Sequence, residues 1–163
     1  MLLSAKERKD IGLEYVLDKL QIMTPYGEKR KNERRLYRPG EKELLQEELE
    51  AVLLFYHQKE SRAYALHDLE YEFCRVKDIQ ASVERAKRGA TLDEVELFEM
   101  KVFSRIIGEL LRKLKEIEVP QGFKLYSLET LEKRLDPEGT GILTFYIYDA
   151  YSEELTGIRS EEH

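Results

Sequence analysis

Residues 91–117 read TLDEVELFEMKVFSRIIGELLRKLKEI, and this stretch decides the fold. Val95, Phe98, Val102, Ile106, Leu110, Leu114 and Ile117 recur at helical spacing. Phe103, Ile107 and Leu111 widen the stripe until it must meet more than one neighbour. The pattern predicts one long central helix over 92–117, the spine of the domain. Thr91 and Glu94 fit a capping box at its start, in which hydroxyl and carboxylate satisfy free amides reciprocally. Pro120 and Gly122 stop it. Gly108 in mid-helix costs about 1 kcal/mol against Ala, so a close backbone approach is expected there. Phe98 is expected in the core, where truncation to Ala costs about 3–5 kcal/mol.

Working outward, the other segments are also helical. Asp10 is a candidate cap for Leu13, Val16, Leu17 and Leu20. Thr24-Pro25 opens a short basic helix over 25–35, and Pro39-Gly40 ends that piece. Leu45, Leu49, Val52, Leu53 and Tyr56 form the apolar side of a helix over 41–59. Leu66, Leu69, Phe73 and Val76 do the same over 62–76. A further helix over 77–88 ends at Gly89, and a short one is expected over 128–135. Then the texture changes. DPEGTG at 136–141 is turn chemistry, and ILTFYIY at 142–148 is a β-branched and aromatic strand signal. Ser152 caps a helix over 152–163 that ends with the chain. The predicted fold is mostly α: a helical bundle with a minor β element near the C-terminus, in one domain over 1–163 that reads as an N-terminal fragment.

The composition sets limits. The 163 residues carry 27 basic and 33 acidic side chains, a formal net charge of −6. That opposes a domain whose main task is gripping phosphates. The single cysteine, Cys74, excludes an internal disulfide and fits a reducing, cytoplasmic setting. No apolar run reaches the length of a membrane span.

The residue patterns that catalysis requires are missing. No G-x-x-x-x-G-K-[ST] loop, G-x-S-x-G elbow or H-E-x-x-H pair occurs. His57 and His67, with Glu60, Asp68 and Glu70 nearby, are the only residues around which a small metal enzyme could be imagined. Their spacing fits half-exposed helical histidines better. Cys74 reads as a small buried hydrophobe. No catalytic or metal residue is assigned, and no cofactor is expected in this chain.

Two features point to binding. Lys29, Arg30, Lys31, Arg34, Arg35 and Arg38 form a basic run interleaved with Tyr26 and Tyr37. Arg30, Arg34 and Arg38 fall on one helical face, as a phosphate-backbone contact requires. If they bind double-stranded DNA, affinity falls steeply with salt and Glu at positions 30 and 34 abolishes it. The competing reading is a solvated face paired with the acidic helix that follows. The second feature is the strand Phe145, Tyr146, Ile147 and Tyr148 with Tyr151, either a stacking platform for bases or a strand packed on helices.

The run from Leu135 to Arg159 resembles the MutS family of mismatch-repair ATPases. The likeness is to the point where the helical core leaves a small strand and enters a lever helix. Asp136, Gly139, Asp149, Ala150, Ser152, Leu155, Ile158 and Arg159 carry it. Thr24 to Gly27 (TPYG) and Gly89 to Leu97 (GATLDEVEL) are similar to earlier parts of the same core. The resemblance implies a non-catalytic connector that links a downstream ATPase of the same protein to parts embracing DNA. It also implies a homodimer, and ATP and Mg in the full-length protein. The family's mismatch-reading Phe-x-Glu motif is absent here. The rival function is a stand-alone helical adaptor for a protein partner.

Overall fold

A computed structural model describes residues 4–144 and 152–161. The described chain is mostly helical: α1 (Ala5–Asp10), α2 (Leu13–Lys19), α3 (Pro25–Asn32), α4 (Lys42–Gln58), α5 (Ala63–Cys74), α6 (Gln80–Lys87), α7 (Glu94–Lys113), α8 (Glu129–Leu135) and α9 (Glu153–Glu161). A 3-10 turn, Leu114–Glu116, extends α7. No described helix is long and apolar enough to cross a membrane. The minor β element is not seen among the described residues. Ile142, Leu143 and Thr144 carry no strand, and 145–148 lie outside them. A strand needs a partner ladder, and the described residues supply none. The proposed stacking platform also lies outside the described residues.

The helix starts follow local chemistry, with two departures from the sequence expectation. Asp10 caps nothing. Ser4 and Glu7 form a reciprocal capping box for α1, and Gly12, at φ 72°, breaks the chain before α2. Only glycine adopts that left-handed turn without strain. Thr24 does cap α3, its hydroxyl accepting the Gly27 N–H at 2.9 Å. The box on the long helix lies two residues later than expected. The Glu96 N–H donates to the Asp93 carboxylate at 2.8 Å, and the Asp93 N–H donates to Glu96 at 3.0 Å. The reason lies outside the helix. Ser82 and Arg85 hold the Glu96 carboxylate at 2.9 and 2.6 Å, and Arg85 also takes the Thr91 carbonyl.

The chain divides into two compact units. The first comprises 1–78 and 110–124; the second comprises 79–109 and 125–163. Helix α7 contributes to both. In the first unit, Ala65, Leu69, Val76, Leu110 and Ile117 are buried. The buried Glu72 carboxylate joins α5 to the end of α7, accepting from Arg75 at 2.7 Å and Lys113 at 2.9 Å. Gln58 pins the end of α4: its amide donates to the Glu118 carbonyl and its oxygen accepts the Glu118 N–H. Cys74 is exposed, contrary to expectation. The inward line of α5 runs through Ala65, Leu69 and Glu72, and Cys74 lies off it.

In the second unit Ile79, Met100, Ile106 and Ile107 are buried. Phe98 is only half-buried, and Ile106, 1% exposed, is the most deeply buried apolar residue described on this helix. Asp136 is buried beside Lys101 and organises the turn that follows it. Gly108 meets no close neighbour; a Cβ there would find nothing within 4 Å. The expected backbone approach is therefore absent, and the glycine simply weakens the helix. Gly108→Ala is expected to raise stability by about 1 kcal/mol, read as an upward shift of the denaturation midpoint. A fall in the midpoint would mean that this backbone position is constrained.

Candidate functional site

The basic run occupies α3 and the loop that leads to α4. The structure brings Arg34 against an acid of α4 and Arg35 against Glu41, the residue that precedes that helix, while Lys31 pairs within α3. Lys31 pairs with Glu28 at 3.3 Å. Arg34 pairs with Glu48, whose other oxygen accepts the Tyr37 hydroxyl. Arg35 grips Glu41 through both terminal nitrogens at 2.7 Å. The Arg38 N–H donates to the same carboxylate at 2.7 Å. Arg30 has no acid partner among the described residues, and Lys29 has an interaction of its own. Bidentate arginine pairing with carboxylate is geometrically the same contact that arginine makes with phosphate. Arg35 is thus committed, and a phosphate would have to displace Glu41.

These groups border a cavity of about 660 Å³ in the first unit, with Leu17, Leu20, Ile22 and Leu44 on its apolar side. Arg30, Lys31, Arg34 and Arg35 stand around it, with Glu33 and Glu48 among them. Four basic and two acidic side chains thus line it, with Glu48 paired to Arg34.

The Arg35 guanidinium, and then the Arg38 amide, pull the Glu41 carboxyl down to about 2 from 4.5. A depressed carboxyl stabilises the fold above its unfolded value, and that contribution is lost as pH falls from about 4.5 through about 2. An NMR titration of the Glu41 carboxyl should therefore give a midpoint near 2, rising toward 4.5 in Arg35→Gln. An unchanged midpoint in the variant would show that the pair does not persist in solution.

His57 and His67 are both exposed, on different helices. Among the described residues no three His, Cys, Asp or Glu side chains are grouped to hold a metal ion.

The feature that sequence reading missed is on α4. Its predicted core stripe faces outward: Leu45, Leu49, Val52, Leu53 and Tyr56 are 38, 54, 60, 53 and 68% exposed. The helix instead turns Ala51, Leu54 and Gln58 toward its own unit. Ala51 and Leu54 lie among the same run of apolar residues, so periodicity alone offered two faces. A continuous apolar stripe of this kind on one helix is a signature of an interaction surface. No protein-family model, curated protein or solved structure matches this chain.

Proposed function

We propose that this chain is a non-catalytic helical connector that seats another protein element on the outer face of α4. The observation that carries this reading is the exposed stripe Leu45, Leu49, Val52, Leu53 and Tyr56. Exposed leucine, valine and tyrosine in one row leave apolar area in water that a docked partner removes, at about 25 cal/mol per Å². The specific form we favour is the front of a MutS-like helical core. In that form the docked element belongs to the downstream parts of the same protein, and the chain transmits the state of an ATPase to a DNA-embracing region. The Leu135 to Arg159 pattern supports it. In this reading DNA contact belongs to those other parts, and the pairing of Arg34 with Glu48 and of Arg35 with Glu41 supports it.

The second reading, a stand-alone adaptor, draws on the same exposed stripe. The reading frame beyond codon 163 separates the two. Continuation through a long helix into Gly-x-x-x-x-Gly-Lys-Ser/Thr is expected for the MutS-like form. A stop codon directly after 163 would remove that form and leave the adaptor.

A further inference from the structure

We infer that the cavity bounded by α2, α3 and the start of α4 binds a small monocarboxylate with an apolar body. The site is separate from the outer face of α4 on which the connector reading rests.

Helix α3 builds one wall. Gly27, Arg30 and Lys31 fall at i, i+3 and i+4, so they share one face of the helix, and all three line the cavity. Ile22, from the segment before the helix, closes over Gly27. A Cβ at Gly27 would stand 3.0 Å from Ile22 Cγ2 and 3.1 Å from Thr24 Oγ1. A glycine inside a helix costs stability against alanine, and this close contact accounts for its use here. With no side chain at position 27, Ile22 can lie within about one helical turn of Arg30. Leu17, Leu20 and Leu44 continue the apolar part of the wall. The volume, about 660 Å³, falls in the range of small-molecule pockets.

The charges on the wall select the head of the ligand. Arg34 and Glu48 neutralise each other. Lys31 and Arg35 also hold acids, Glu28 and Glu41, but neither acid lines the cavity. The Lys31 pair is a single i,i+3 contact at 3.3 Å to a carboxylate that is half exposed, and such pairs are weak. Arg30 has no acid partner among the described residues. Its guanidinium is free to take a carboxylate through two parallel hydrogen bonds. Of the two acids on the wall, Glu33 is the one without a cation among the described residues. It opposes a ligand of higher negative charge, so a single carboxylate fits where a polyphosphate does not. An ammonium head would meet Arg30 and Lys31 instead.

The test is a methyl NMR titration of the full chain with octanoate, octanol, octylammonium and inorganic phosphate. Octanoate should shift the methyl signals of Leu17, Leu20, Ile22 and Leu44 and leave those of Leu49 and Val52 in place. It should bind about tenfold more tightly than octanol, which has the same chain without the charge. Octylammonium, and phosphate with no apolar body, should bind more weakly than octanoate. Arg30→Gln should lower octanoate affinity about tenfold with the melting temperature unchanged, because Arg30 is exposed. Glu33→Gln should raise the affinity. Octanol or octylammonium binding as tightly as octanoate would overturn the inference, as would an Arg30→Gln variant that binds like the original chain. Shifts confined to Leu49 and Val52, or no shifts at millimolar octanoate, would overturn it too. Weaker binding in Glu33→Gln would mean that the ligand carries a cation, with the same consequence. None of these outcomes bears on the reading frame or on the outer face of α4, so the connector reading stands or falls separately.

Discussion

Asp136→Ala is expected to cost the second unit about 3–5 kcal/mol, the penalty for removing one partner of a buried ion pair. The Asp136 and Lys101 side chains are each only 6% exposed, with 3.7 Å between Lys101 Nζ and the carboxylate. The same carboxylate accepts the Thr140 N–H at 3.2 Å, the Thr140 hydroxyl at 3.1 Å and the Gly141 N–H at 2.8 Å. Alanine therefore withdraws the counter-charge of a buried ammonium and the acceptor of three donors in one step. The turn itself depends on those donors. Gly139 and Gly141 take φ of 63° and 65°, and the Gly139 N–H closes on the Asp136 carbonyl at 3.0 Å. Lys101→Met should cost less, because it leaves Asp136 with its loop donors and replaces a buried charge with a side chain of similar volume. Urea denaturation of both variants measures the difference. Equal losses would mean that the ion pair alone matters, and a silent Asp136→Ala would remove the pair from the account.

Ile106→Ala is the second large effect. Ile106 is 1% exposed, at the centre of α7, and truncation of a fully buried isoleucine costs about 2–5 kcal/mol. Phe98→Ala should cost less despite its larger side chain, since that residue keeps part of its surface in water. Ile106→Val, which removes one methyl group, should cost about 0.5–1.5 kcal/mol. An order with Phe98→Ala above Ile106→Ala would place the core of α7 nearer its start. Because the described chain falls into two compact units, each variant should be followed with a probe in each unit. A transition that separates between probes would show that α7 does not couple them into one cooperative block.

The exposed seam of α4 and the buried pair at Asp136 have opposite consequences for experiment. Substitutions at Leu49 or Val52 test binding without threatening the fold. Substitutions at Lys101 or Asp136 test the fold and say nothing about binding.

What the sequence determined by itself was local. Helices form where apolar residues recur every three or four positions, and Thr24 caps α3 because its partner amide is three residues away. Hydrogen bonds that close within one turn need no knowledge of the rest of the chain. The long helix, its stop before Pro120 and the turn at 136–141 were legible for the same reason. Tertiary structure decided which face of each helix is covered. Along α4, the stripe through Leu49 and Val52 and the face through Ala51 and Leu54 both satisfy helical spacing, and only packing chose the second. It also decided the partners of Arg34 and Arg35. Arg34 meets Glu48 across fourteen residues, a pair that forms only because the chain returns after Pro39-Gly40. The same holds for the capping box at Asp93, which is set by Ser82 and Arg85 on the preceding helix. Periodicity names the faces a helix offers; only the neighbours that the fold brings to it decide which of them leave water.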